Sequence, residues 1–300
     1  MTTFTGRTRL AVLSASAALL ALAGCAPQAT SSSSGASSSA GTGSAAASAC
    51  AKGALATATS GTLTVGTDNP AYDPWFQDNK PSNGKGFESA VAYAVADRLG
   101  YPQAKVAWTV VPFNNAVTPG AKKFDFDINQ ASISDARKKA VDFSSGYYDV
   151  RQAVVTLADS KYAAVTDAAG LKGAKLGAQV GTTGLTVATD VVKPSTQPAV
   201  FETTDLAVAA LKNKQVDAIV VDLPTAFYVT SVQVPGAKVV GQFAADAATG
   251  TPEQFGLVLT KGSALTSCVS QAVDALKADG TLDKLAKQWL PASDTAPVLK

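Results

Sequence analysis

Along this chain, short apolar runs of four to six residues alternate with stretches in which apolar positions return every three or four residues. That pattern predicts strands interleaved with helices. Residues 63–66 (LTVG) form a first strand that ends in the turn-forming string Gly66-Thr67-Asp68-Asn69-Pro70. Phe87, Val91, Val95 and Leu99 recur at helical spacing, and Gly100 with Pro102 stops that helix. Strands are predicted over 106–111, within 125–133, and from 153 to 157 after a turn at Gly146-Tyr147-Tyr148. The scheme then repeats: a strand at 174–180, a Gly/Thr loop at Gly181-Thr182-Thr183-Gly184 entering a helix, and a buried strand at 216–221 that runs into Asp222-Leu223-Pro224. A last strand (GLVLT) precedes an amphipathic helix carrying Val269, Val273 and Leu276, a stop at Asp279-Gly280, and a final helix with Leu282, Leu285 and Trp289. The fold class this implies is α/β, sheets covered by helices.

Composition narrows the function. The chain has 300 residues, 46% of them hydrophobic, enough for two cores. Of 25 basic residues, Arg7 and Arg9 lie in the first 49, which hold no acid; the remainder carries as many basic as its 23 acidic residues, so nothing favours nucleic acid. Histidine is absent, which excludes Ser-His-Asp and Cys-His nucleophiles and every His-containing zinc site. No GxxxxGK[ST] loop and no GxGxxG after a strand is present, and no metal site or cofactor is expected.

The N-terminus reads as an address. Arg7 and Arg9 form a basic region, 10–21 is apolar, and Leu22-Ala23-Gly24-Cys25 resembles a bacterial lipobox, in which the residue matching Cys25 is lipidated. Ordinary signal cleavage nearby is the alternative. Residues 1–24 are thus expected to be a signal peptide. Residues 25–49, almost all Ser, Ala, Gly and Thr, are expected to be a tether too polar to offset its ordering entropy by burial. Two further cysteines, Cys50 and Cys268, form an even pair that outside the cytoplasm reads as a disulfide, the alternative being two buried thiols.

The stretch 125–148 carries the chemistry. Arg137 offers a bidentate guanidinium fork behind the hydroxyls of Ser132 and Ser134, a set suited to a small carboxylate; a surface ion pair of Arg137 with Asp135 or Asp142 is the plainer reading. The Gly181–Gly184 loop leaves amide groups at a helix start, which suits an anion, though such loops are usually plain turn chemistry.

Seven ordered motifs, LTVGTDNPAYDPW, GKGFESAVAYAVADRLG, FDFDINQASISDARKKAVDFSSGYY, LKGAKLGAQVGTT, QVDAIVVDLPTAFY, EQFGLVLTKGSAL and DGTLDKLAKQWL, span residues 63–290. In this order they resemble the extracytoplasmic solute-binding proteins of family 3, the polar amino acid ABC transporter type. The resemblance implies a two-lobed, type II periplasmic-binding-protein (Venus-flytrap) fold with hinge-linked α/β lobes: lobe I from 50–149 and 250–300, lobe II from 150–249. It also implies an extracytoplasmic, membrane-anchored, monomeric lipoprotein that hands an amino acid to an ABC permease and its ATPase, without catalysis.

On this resemblance the carboxylate-binding arginine falls on Arg137, with Ser132 and Thr183 as its hydroxyl partners, and the ammonium-binding acid on Asp222. The aromatic walls fall on Tyr72 and Phe113, and the side-chain pocket on Asp68. Asp222 and Thr183 have a second reading as helix caps, and Tyr72 and Phe113 as core aromatics. Asn129 and Gln130 stand where the family has small residues, and the segment after Asp68 is one residue longer, with Pro70 in it. These departures suggest a polar neutral or weakly charged ligand side chain. Two other classes share the architecture: a sensor ectodomain, and a dehydratase that would need a carboxylic acid deep in the cleft, for which Glu88 is the nearest candidate.

Overall fold

The computed structural model of the chain describes residues 50–53, 55–244, 252–292 and 296–300. The expected signal peptide, the tether and Cys25 lie outside the described residues.

Two five-stranded mixed sheets organise the chain. The first, in spatial order β2-β1-β3-β10-β4, contains β1 (Leu63–Thr67), β2 (Val106–Val110), β3 (Phe126–Asp127), β4 (Val141–Asp149) and β10 (Gln254–Thr260). The second, ordered β7-β6-β8-β5-β9, contains β5 (Gln152–Leu157), β6 (Leu176–Gln179), β7 (Ala199–Phe201), β8 (Ala218–Asp222) and β9 (Ala237–Gln242). The chain passes to the second sheet between Asp149 and Gln152 and returns between Gln242 and Gln254. Together they make the two-lobed type II fold.

Each lobe closes on its own core. In the first, helix α1 (Phe87–Arg98) buries Phe87, Val91 and Val95 completely, as their four-residue spacing requires, against Leu63 and Val65 of β1. The start of α1 is held tightly: Gly86 has φ +94, and a Cβ there would stand 2.5 Å from the carbonyl oxygen of Trp75, so only glycine fits. Trp75 meets Phe87, Tyr148 and Phe255 at ring separations of 6.0, 5.9 and 5.7 Å. The last two helices, α7 (Thr266–Ala278) and α8 (Thr281–Trp289), complete this core. Cys50 is bonded to Cys268 of α7, 218 positions away, which fastens the start of the described chain to the core. In the second lobe β5 and β8 are almost wholly buried aliphatic runs, covered by α5 (Thr204–Lys212) and others.

Three expectations are corrected. The strand predicted within 125–133 is only two residues long, because the chain leaves the sheet at Ile128 to form the cleft wall. Gly146-Tyr147-Tyr148 is no turn but part of β4: a Cβ on Gly146 would lie 2.5 Å from the Gln254 side chain, so the glycine serves close strand approach beside an irregular register with β10. Residues 296–300, expected with lobe I, lie on lobe II. Val298 bridges Gln242 of the edge strand β9, and Ala296 and Leu299 bury their apolar surface there, capping ladder groups an edge would leave open.

Candidate ligand-binding site

Between the lobes, where strand ends of both sheets face each other, lies a cavity of about 60 Å³. Of the eight expected ligand contacts, Asp68, Tyr72, Phe113, Gln130, Arg137, Thr183 and Asp222 line it; Ser132 does not. The volume admits only a few waters, so a larger solute requires the lobes to part.

Arg137 sits in helix α3 (Asp135–Lys138), whose start is capped by Ser134: its hydroxyl accepts from the Arg137 N–H at 3.3 Å, so Ser134 is spent on the helix. The guanidinium crosses the cleft. Nη1 donates to Ser132 O at 2.6 Å and Nη2 to Gly181 O of the opposite lobe at 2.8 Å, and the group lies 5.3 Å from the Phe113 ring centre. Burial lowers its pKa to about 10, against the opposing charge of Glu253. The surface-pair reading is excluded, since Asp135 pairs with Lys138 and Asp142 with Lys261.

Asp222 ends β8 and caps α6 (Leu223–Tyr228), accepting from Thr225 N at 3.0 Å, while its carboxylate also lines the cavity. Burial raises its pKa to about 6. Thr183 opens α4 (Thr183–Thr186), but the cap is Thr182, which accepts from Leu185 N at 3.2 Å; the Thr183 hydroxyl bonds Ser132 and Gln152 instead. Asp68 accepts from Asn69 N and Phe113 N, and burial raises its pKa. Burial likewise raises the Tyr72 phenol.

Gln130 stands at φ +47 and binds Glu88 with both its backbone and side-chain N–H groups. Glu88 also accepts from the Tyr147 hydroxyl; it is fully buried, its pKa is raised to about 7 by burial, and it does not reach the cavity. Asp127 beside it is fully buried, and burial raises its pKa well above normal.

Several site residues lie outside the expectations drawn from the sequence. Gln152, Gln179, Thr204 and Thr225 line the cavity, and Trp75 reaches across to Thr225, Nε1 donating to Oγ1 at 3.0 Å. Gln152 is the polar first residue of a buried apolar run, a signal that was present but unread. Glu253, just before β10, accepts from Ser132 Oγ at 2.6 Å. Among the described residues no cluster of His, Cys, Asp and Glu is placed to hold a metal, and no helix is long and apolar enough to cross a membrane.

A cleft between two hinge-linked sheets, with one guanidinium and two acids on its walls, defines a bilobal solute-binding protein. Residues 63–292 match bacterial extracellular solute-binding proteins, family 3, and the chain belongs to that family. It is similar to a probable histidine-binding protein of Campylobacter jejuni, 28% identical over 77% of this chain and 86% of that one. An ancestral arginine-binding protein solved with arginine is 32% identical and superposes with a TM-score of 0.62 over 77% of this chain and 98% of that one. An ancestral amino acid-binding protein described as a precursor of cyclohexadienyl dehydratase is 29% identical, with a TM-score of 0.62 over 77% and 95%. The family works outside the cytoplasm with ABC transporters, and these relatives are binding proteins.

Proposed function

We propose that this chain captures an amino acid with a basic side chain between its lobes and delivers it to an ABC importer while anchored to the outer face of the membrane through Cys25. The observation that carries the reading is the charge balance of the cavity wall. Arg137 is its cation, while Asp68 and Asp222 are both acidic. An α-amino acid brings one carboxylate and one ammonium, which match Arg137 and Asp222. Asp68 is left over; two backbone N–H groups hold its carboxylate, and a second positive group on the ligand would offset the cost of burying its charge. Asn129 and Gln130 add polar atoms to the wall, and Tyr72 and Phe113 supply flat faces for an extended side chain.

In this reading Arg137 gives up its bond to the Gly181 carbonyl of the opposite lobe when the lobes open, which frees that side of its guanidinium for the ligand carboxylate, while Nη1 stays on the Ser132 carbonyl of its own lobe. The names of the arginine- and histidine-binding relatives support a basic side chain over the neutral one suggested by Asn129 and Gln130. Calorimetric titration with L-arginine, L-lysine, L-histidine and L-glutamine tests it. Tighter binding of a basic amino acid than of glutamine is expected; preference for glutamine returns the ligand to the neutral class. Membrane release on replacing Cys25 with serine tests the anchor.

A further inference from the structure

The two hydroxyls placed beside the ligand carboxylate, Ser132 and Thr183, are not free to face it in this closed form. Ser132 Oγ lies 2.6 Å from Glu253 Oε1, and since a carboxylate only accepts, the serine's single proton goes there. The contact between Ser132 Oγ and Thr183 Oγ1, 3.2 Å, is therefore made with the threonine's proton. Thr183 Oγ1 in turn accepts from Gln152 Nε2 at 3.2 Å, and the same amide nitrogen gives its other proton to Glu253 Oε1 at 3.3 Å. The four side chains close a ring in which the donor of every bond is fixed, and both arms end on one oxygen of Glu253.

The ring spans the cleft at its hinge. Ser132 bridges Phe255 of the first sheet, whereas Gln152 opens β5 and Thr183 opens α4 of the second lobe. Glu253 lies where the two crossing segments run together, its carbonyl accepting from Val150 N at 3.0 Å. Its charge also acts on Arg137.

We infer that Glu253 is a positioning residue of the trap: its carboxylate joins side chains of both lobes in the closed form and aims the Ser132 and Thr183 protons along the ring, leaving the ligand carboxylate to Arg137. The inference rests on the reading of the cleft as a closing trap, and it takes Ser132 out of direct ligand contact.

The test is small-angle X-ray scattering of the full chain, without ligand and with 10 mM L-arginine, for the wild type, E253A, E253Q, T183V and E253A/T183V. Opening of E253A relative to the wild type is expected under at least one condition. E253Q, which keeps an acceptor oxygen for Ser132, should fall between them, and the double variant should open further than either single variant, since E253A leaves the Ser132–Thr183 arm and T183V leaves the Glu253–Gln152 arm across the cleft. Thermal melting checks that each variant is folded; if E253A is not, E253Q and T183V carry the comparison with the wild type. Scattering of the Glu253 variants equal to wild type under both conditions, or a double variant no more open than T183V alone, would overturn the inference. Failure of L-arginine to alter the wild type counts against the ligand class alone.

Discussion

The two walls of the cleft are built differently. The first lobe's wall is made of large side chains with buried support: Tyr72, Phe113 and Arg137 stand in front of a core dominated by Trp75, Phe87, Tyr147, Tyr148 and Phe255. Behind it are two fully buried acids, Glu88 and Asp127. The second lobe's wall is made of short groups at helix starts, Thr182, Thr183, Gly184 and Asp222, above an aliphatic core. One side supplies the cation and most of the shape; the other supplies an acid, helix caps and hydroxyls. Ligand selectivity should therefore reside mainly in the first wall, and closure in the second.

The sharpest break in that comparison comes from Arg137. Arg137→Ala is expected to weaken amino acid binding by at least roughly 3 kcal/mol, because the ligand carboxylate would be buried without a cationic partner. Thr183→Val on the opposite wall should cost no more than about 1.5 kcal/mol, the worth of a neutral hydrogen bond. Calorimetry on both variants decides the order, and a larger loss at Thr183 would reverse the assignment of the walls.

The buried acid behind the first wall predicts a stability effect of about 3 kcal/mol. Burial holds Glu88 at about 7 against an ordinary 4.5, so the folded chain binds this proton more tightly than the unfolded chain does. The stabilisation is complete below pH 4.5 and is lost as pH rises through about 7, a difference of about 3 kcal/mol from the pKa change alone. Asp127, also raised, acts in the same direction. Glu88→Gln, with the Gln130 amide turned over to accept, should flatten urea-unfolding free energies between pH 4.5 and 7.5. An unchanged slope would place the titration elsewhere.

Asp222 on the second wall predicts the opposite pH dependence, and in affinity. Holding an ammonium requires the ionised carboxylate, and burial sets its pKa at about 6. Binding should weaken about tenfold for each pH unit below that value, roughly 1.4 kcal/mol per unit, and be level above it. Asp222→Asn should bind weakly at all pH values and lose the slope. Calorimetry from pH 4.5 to 8 reads both.

How much of this was legible depends on which force fixes each residue. The strand and helix positions were readable where burial is periodic, as at Phe87, Val91 and Val95 or along β8, since periodicity and burial have one cause. Gly146 misled because glycine serves turns and close strand approach alike, and only the Gln254 side chain opposite tells them apart. The place of Arg137 on the cleft wall was readable from local context, since the Ser134 cap of the helix that carries it lies three residues earlier. Asp222 caps α6, as one of its two readings had it, and its side chain also lines the cavity, where the other reading places an ammonium. Glu253, Gln152 and Trp75 were not read, because each acts on a partner 101 to 150 positions away, across a cleft no local pattern describes.

The smallest predicted effect isolates closure from packing. Trp75 belongs to the rigid first wall, its ring fully buried among aromatics, yet its Nε1–H is given to Thr225 Oγ1 in the second lobe at 3.0 Å. Trp75→Phe keeps most of the aromatic contact and deletes that bond, so it should reduce affinity by about 1 kcal/mol through loss of the closed form. Part of its stability cost comes from the smaller ring, and Thr225→Val removes the acceptor without touching the aromatic cluster. If the bond matters through closure, Trp75→Phe weakens ligand binding and the double variant weakens it no further than Thr225→Val alone, which also removes a side-chain bond to Asp222. Additive losses in affinity would instead mean that Trp75 contributes through packing, and that the first wall also governs closure.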